Sequence, residues 1–212
     1  MQMPQTLYVA TTNPGKLRDF AAAAEAFAVE IAPLPHLKDI SPPVEDGLTF
    51  EDNARLKAVY YSSFATDCIV IADDSGLEVD ALGGEPGVRS ARFADDAGFT
   101  APENPTEDTD ERNNLYLLER LSSHIVERKT ARYRCVIAAA RAGKVLLATE
   151  GSVEGEILTK PRGTGGFGYD PLFYLAELDK TMAEIDLVKK QTLSHRGKAF
   201  LKLLEEMRHK TF

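Results

Sequence analysis

Cysteine is nearly absent from this 212-residue chain. Cys68 and Cys135 are all it has, each inside an apolar run (DCIVIA, RYRCVIAAA), with no CxxC and no Cys/His spacing. That argues against a disulfide framework and a zinc module, and leaves two buried thiols. No stretch reaches the ~18 apolar residues of a membrane span, and MQMPQTLYVATT is too short and uncharged for a secretory leader. The expected compartment is the cytoplasm, with no membrane partner. Positive charge is short as well: 25 Lys and Arg against 33 Asp and Glu leave a formal net charge of -8. Such a surface does not attract a nucleic-acid polymer. A small polyanion is a different matter, because a few lysines and a divalent cation neutralise it locally. Repeats and long linkers are missing too. With 43% hydrophobic and 27% charged residues, the chain reads as one folded domain over residues 1–212.

What is present alternates between extended and helical patterns. TLYVAT (6–11) reads as a strand, TNPGK as a tight turn, and LRDFAAAAEAFA as a helix. VEIAPL (29–34) is extended, and Pro42, Pro43 and Gly47 mark residues 36–47 as loop. Thr49 followed by Asp52 predicts a capped helix through FEDNARLKAVYYSSFA, with Phe50, Ala54, Leu56, Ala58, Tyr61 and Phe64 as its apolar residues. CIVIA (68–72) predicts a buried strand that ends at Asp73 and Asp74, and LEVDAL (77–82) a second short extended piece. Residues 94–111 read as an acidic loop before a helix at 113–124. The runs at 130–143 and 144–158 form a hairpin joined at Gly143, PLFYLAEL (171–178) is another apolar piece, and an amphipathic helix with Leu201, Leu204 and Met207 on one face closes the chain.

Four stretches carry chemistry. TTNPGK (11–16) sits where a strand turns into a helix, where backbone N–H groups and the helix dipole favour an anion, and Lys16 adds charge. A Walker A loop would need Gly at 10 and Ser or Thr at 17, where the chain has Ala10 and Leu17. GTGGFGYDP (163–171) lets backbone approach a ligand while Phe167 and Tyr169 offer planar rings. SHRGK (194–198) gathers His195, Arg196 and Lys198 at a helix start, where cations oppose the dipole unless an anion or acceptor-rich base lies in front; Lys190 is five residues upstream. Asp73 and Asp74 repel one another unless a cation balances them. Magnesium, held by one or two carboxylates with substrate phosphates and water, answers that need, and a plain Asp-Asp-Ser-Gly turn is the structural alternative.

TTNPGK, LTFEDNA, ADDSGLEVDALGGEPGVRSARF, GTGGFGYDPLF and SHRGKA, in this order and over nearly the whole chain, closely resemble the inosine triphosphate pyrophosphatase family. The resemblance implies an α/β fold, a long mixed twisted sheet flanked by helices in two lobes with a nucleotide cleft between them. It also implies a magnesium requirement, a homodimer, and hydrolysis of ITP, dITP and XTP to the monophosphate and pyrophosphate. By motif, Thr11, Thr12, Asn13, Gly15 and Lys16 would hold the triphosphate. Asp74 would be the catalytic residue and a metal ligand with Glu45 and Asp73. Ser75 would contact substrate, and Phe167, Gly168, Tyr169 and Asp170 with Lys190, His195 and Arg196 would grip base and sugar. The chain departs from the family at Thr12, where Gly is usual, and at Asp52, where Glu is usual; neither removes a charge. A nucleotide sensor without hydrolysis, a Maf-type pyrophosphatase and a P-loop NTPase are the competing readings.

Overall fold

The computed structural model describes residues 5–100, 106–124 and 128–210. The first apolar stretch forms β1 (Thr6–Val9), with Leu7 and Val9 fully buried. Asn13 then caps helix α1 (Pro14–Ala24), its Oδ1 accepting from the amides of Gly15 and Lys16, and Pro14 stands at the first helical position where its fixed φ suits a helix. β2 (Glu30–Pro33) returns parallel to β1. Residues 36–47 are loop as expected, apart from one 3-10 turn at Leu37–Asp39. Helix α2 (Phe50–Ser62) starts at the predicted cap. The Asp52 amide donates to Thr49 Oγ1 at 3.1 Å, and the Thr49 amide donates to Asp52 Oδ2 at 3.2 Å. Phe64, expected within this helix, falls beyond its end and is 57% exposed.

The next element corrects the sequence reading. CIVIA and LEVDAL are not two pieces broken at the acid pair but one strand, β3 (Val70–Val79), with Asp73 and Asp74 in its middle. β3 lies parallel to β1, with Tyr8 opposite Val70 and Val9 opposite Ile71. Further on, 3-10 turns at Asp80–Leu82 and Gly87–Arg92 lead into α3 (Phe93–Asp96) and α4 (Thr109–Ser122). α3 overlaps the start of the stretch read as loop, of which residues 101–105 fall outside the described residues. α4 begins at Thr109 rather than Asn113 because Asp108 caps it, accepting from the Glu111 amide at 2.9 Å.

The predicted hairpin forms β4 (Thr130–Arg141) and β5 (Lys144–Ile157). Ala142 and Gly143 between them have φ of 49° and 73°, the backbone of a two-residue type I′ turn. β6 (Phe173–Leu175) and β7 (Lys180–Thr181) follow antiparallel, then α5 (Leu187–Leu193), which the sequence does not announce, and α6 (His195–His209). The strands are ordered β2-β1-β3-β4-β5-β6-β7 in one mixed sheet, the α/β class expected. Among the described residues no helix is long and apolar enough to cross a membrane.

The chain divides into two compact units: residues up to Ser75 with Arg134–Ser152 and those from Leu187 on, and Gly76–Tyr133 with Val153–Asp186. In the first unit the period-2 alternation of β3 sorts its side chains. Ile71, with Ile69 just before the strand, joins Leu7, Val9, Phe20, Phe200 and Leu203 in the core formed with α1 and α6, where the Phe20 and Phe200 rings meet at 4.8 Å. Val70 turns the other way, to Leu34 and Tyr61 of the α2 side. The chain leaves β1 through α1 to β2 on one side and comes back through α2 to β3 on the other. The carboxyl end of β1 is therefore a topological switch point, the place in an open parallel sheet where a crevice forms.

The second unit is held by a buried polar network. Asn113 Oδ1 accepts the Ala94 amide at 2.9 Å, and its Nδ2 donates to the Ala91 carbonyl at 3.2 Å. Ser90 Oγ accepts the Leu77 amide, and the Tyr169 hydroxyl donates to the Ser90 carbonyl at 2.8 Å. Asn113, Ser90 and Tyr169 thus satisfy one another's buried polar groups and those of the nearby backbone, as burial demands.

Candidate active site

Asp73 and Asp74 follow one another in β3 and therefore point to opposite faces of the sheet. Asp73 shares the face of Ile71 and meets α1 and α6: Lys16 Nζ lies 2.8 Å from its Oδ2 and Arg196 Nε 3.5 Å. Arg196 also donates to Ser75 Oγ at 3.1 Å and to Asp19 at 3.3 Å. Burial pushes the Asp73 carboxyl up, but Lys16 and then Arg196 outweigh it and hold the group below the usual carboxylate range. The cation cluster at the start of α6 thus has its anion within the protein. His195 beside it is buried; burial first, and Arg196 second, lower its pKa well below the ordinary 6.5, so the ring is neutral.

Asp74 faces α2. Its Oδ1 accepts from Lys57 Nζ at 2.9 Å and its Oδ2 from Asn53 Nδ2 at 3.1 Å. Lys57 also reaches Glu45 Oε2 at 2.7 Å, so one ammonium bridges two carboxylates. Burial raises the pKa of Asp74 against the opposing pull of Lys57 and Asn53, with Glu45 adding to the rise. Burial lowers that of Lys57, but Asp74, Asp73 and Glu45 more than offset it and leave it raised. The loop that carries Glu45 is fastened to α2 along one stripe. The Gly47 amide donates to Asn53, Glu45 accepts from Lys57, and the Tyr60 hydroxyl donates to the Ser41 carbonyl at 2.9 Å. Positions 53, 57 and 60 are i, i+4 and i+7, one face of a helix.

A cavity of about 450 Å³ opens at the switch point. Lys16, Lys38 and Lys57 line it together with Glu45, Asp73 and the Thr11–Thr12 turn. Its size suits a small-molecule ligand. The phosphate-loop reading needs adjustment, because the Gly15 and Lys16 amides expected to face an anion are already taken by Asn13 Oδ1, and the Asn13 amide by Thr11 Oγ1 at 3.1 Å. The positive charge on offer is therefore that of the lysine side chains. Both departures find their explanation. Thr12 is not among the residues with positive φ, so threonine fits the turn without strain. Asp52 has its carboxylate in the Thr49 cap, where a side chain one methylene shorter still reaches, at 2.7 Å from Thr49 Oγ1.

The structure thus brings Thr11, Thr12, Lys16, Glu45 and Asp73 to one cavity wall, with Asp74, Ser75 and Arg196 hydrogen-bonded around them; Asn13 and Gly15 shape the turn. Lys190 stands half-buried in the last turn of α5. Phe167, Gly168, Tyr169 and Asp170 belong to the second unit, where α4 clamps the Gly168 peptide: its amide donates to Asp110 Oδ2 at 2.7 Å, and its carbonyl accepts from Asn114 Nδ2 at 2.9 Å. Asp170 Oδ2 in turn accepts the Phe167 amide at 3.2 Å, closing the loop on itself. Sequence reasoning missed Lys57 and Asn53. Their i, i+4 spacing on a helix that directly follows the Glu45 loop was the signal available.

Hard-oxygen donors are present for a divalent cation. Lys57 shows that the space between Glu45 and Asp74 accepts positive charge, whereas Asp73 lies on the other face with two cations of its own. Among the described residues no cluster of three or more His, Cys, Asp or Glu groups forms a complete protein cage. Magnesium, if bound between these two carboxylates, would complete its shell with waters and phosphate oxygens.

A family model described as the Ham1 family matches residues 7–206. A dITP/XTP pyrophosphatase of Acidobacterium capsulatum is 58% identical over 205 residues, covering 97% of this chain and 99% of its own. One of Thermus thermophilus is 47% identical over 197 residues, 93% of this chain and 89% of its own. Among solved structures, a HAM1 protein from Coxiella burnetii superposes with a TM-score of 0.81 at 32% identity over 97% of this chain and 99% of that one. The Staphylococcus aureus Ham1 protein gives 0.78 at 37% over 97% and 100%.

Proposed function

The chain belongs to the Ham1 family and is a nucleoside triphosphate pyrophosphohydrolase, and we propose that it hydrolyses ITP, dITP and XTP to the monophosphate and pyrophosphate with magnesium, removing deaminated purines from the nucleotide pool. One observation carries the reading: three lysines, Lys16, Lys38 and Lys57, converge with two carboxylates on a single cavity at the switch point. On a surface of net charge -8 the lysines give a triphosphate its ammonium partners, while the carboxylates that now balance them would be taken up by a divalent cation bound with it.

Asp74 and Glu45 would hold the metal, which when bound supplies a Lewis acid for the phosphate oxygens and makes water a better nucleophile. Asp74 accepts the proton from the water that attacks the α-phosphorus. Lys16, held in place by Asp73, faces the charge that grows on departing pyrophosphate. Hypoxanthine and xanthine offer O6 as an acceptor where adenine offers an amino donor, so donors such as Lys190 on the base side would favour the first two. We further propose that the protein works in the cytoplasm as a homodimer, a state that sedimentation analysis reads directly.

Product analysis tests the reading. The protein is incubated with magnesium and, separately, ITP, XTP, GTP, ATP and dTTP. Monophosphate and pyrophosphate from ITP and XTP, with ATP nearly untouched, are expected. Orthophosphate as product, or equal turnover of every nucleotide, would refute it.

A further inference from the structure

Asn53 is 1% exposed, yet its side chain makes no contact that α2 itself requires. Its Nδ2 donates to Asp74 Oδ2 at 3.1 Å, and its Oδ1 accepts the Gly47 amide at 2.9 Å. The orientation of this amide is fixed by chemistry: a backbone N–H needs an acceptor and a carboxylate needs a donor, so oxygen faces Gly47 and nitrogen faces Asp74. Two residues from Gly47 is Glu45. The one amide therefore ties the strand position of Asp74 to the loop position of Glu45.

The fit is close. A Cβ built on Gly47 would lie 2.5 Å from Asn53 Oδ1 and 2.7 Å from Asp52 Cβ, so the loop reaches the amide only as glycine. Among the described residues Lys57 also ties loop to strand, through an ammonium that stands where a divalent cation would have to bind. The short, buried Asn53 amide does not stand in that place.

We propose that Asn53 is a positioning residue, which with Gly47 keeps Glu45 and Asp74 at the separation that receives a divalent cation. It touches no reacting atom. The proposal rests on the reading of the site given above, and its test contains measurements that do not. Mn2+ serves as the probe for a hard dication, its binding to the nucleotide-free protein followed by electron paramagnetic resonance, and amide exchange at Gly47 is followed by NMR.

Asn53→Ala removes both contacts. Its Gly47 amide is expected to exchange at least about tenfold faster. Mn2+ affinity and kcat should each fall about 10- to 100-fold, the usual effect of losing a group that orients metal ligands, with KM for ITP within about threefold. Asn53→Asp keeps the acceptor for Gly47 but turns a carboxylate toward Asp74, so Gly47 protection should persist while kcat falls. If Asn53→Ala leaves either Mn2+ affinity or kcat within about threefold of wild type, or if wild type binds no Mn2+, the proposal fails. Should Asn53→Ala not fold, Gly47→Ala, which forces the loop off an intact Asn53, must lower both quantities, and unchanged values overturn the proposal. A wild-type protein that hydrolyses no nucleotide refutes the proposed function alone, since Gly47 exchange and Mn2+ binding still judge the tether.

Discussion

Asp73 and Asp74 are neighbours in sequence and strangers in space: Asp73 is held at 2.8 Å by Lys16 on one face of β3, and Asp74 at 2.9 Å by Lys57 on the other. Their mutual repulsion is met by separate cations rather than by one shared ion. Asp73 and Arg196 are both nearly fully buried, so removing one leaves the other with a single ionic partner, Lys16 for Asp73 or Asp19 for Arg196. Because Asp73 keeps Lys16, Arg196→Met should cost roughly 1.5–3 kcal/mol, the worth of hydrogen bonds to charged groups, and Tm should fall by about 2–4 °C per kcal/mol for a chain of this size. Adding Asp73→Asn to Arg196→Met should recover part of the loss, and strict additivity in the double variant would argue that the pair is not coupled. The pH dependence has a definite sign. The folded pKa of Asp73 is depressed, so its contribution is present above the ordinary value of 3.8 and is lost as pH falls through the lower folded value. Acid unfolding of wild type should therefore be steeper than that of the double variant.

His195 sets a second pH window. Its folded pKa lies well below 6.5, so below about pH 6.5 the unfolded chain binds a proton that the folded protein refuses. Stability should be full above that pH and fall as pH drops toward the folded value, by up to about 1.4 kcal/mol per pH unit. Urea unfolding of wild type and His195→Gln between pH 5 and 8 measures the difference. Parallel curves would mean that the ring is not buried neutral.

Much of this was legible in the sequence where local rules decide. The Thr49–Asp52 box, the strand-turn-helix at TLYVATTNPGK and the Gly143 hairpin depend on neighbours along the chain, and they appear where predicted. The continuity of β3 was not legible, because an acid pair reads as a strand end unless Lys16, Lys57 and Arg196 are known to wait on its two faces. Nor was the fate of SHRGK, whose anion lies 123 positions away at Asp73. Lys57 was hidden for a related reason. On a helix of ordinary composition a lysine looks like solvated surface, and only the Glu45 loop folding over it makes it part of the site.

The glycine-aromatic loop can be tested through its clamp. If residues 167–170 grip base and sugar, loosening the Gly168 peptide should weaken substrate binding more than chemistry. Asp110→Ala removes the 2.7 Å bond to the Gly168 amide, and Asn114→Ala removes that to its carbonyl. Each should cost roughly 0.5–1.5 kcal/mol of stability and raise KM for ITP by about 3- to 10-fold, a comparable energy in binding, with kcat nearly unchanged. A fall in kcat at constant KM would place the loop's role in the chemical step instead.

Lys57 offers the last and most direct test of the cation position between Glu45 and Asp74. In the structure its ammonium stabilises both carboxylates, so Lys57→Met leaves two facing acids uncompensated. Without metal the variant should be destabilised, and acid should relieve it, because protonating either carboxylate removes the repulsion. Magnesium should now compete with nothing for the place. Its stabilising effect follows the ratio of free ion to Kd, so each tenfold gain in affinity adds about 1.4 kcal/mol at saturating metal. Thermal unfolding at 0 and 10 mM magnesium, about the upper end of useful concentrations for a weak two-carboxylate site, should show a larger rise in Tm for Lys57→Met than for wild type. Equal rises would mean that lysine and metal do not share the position, and the metal would then have to be held chiefly by substrate phosphates.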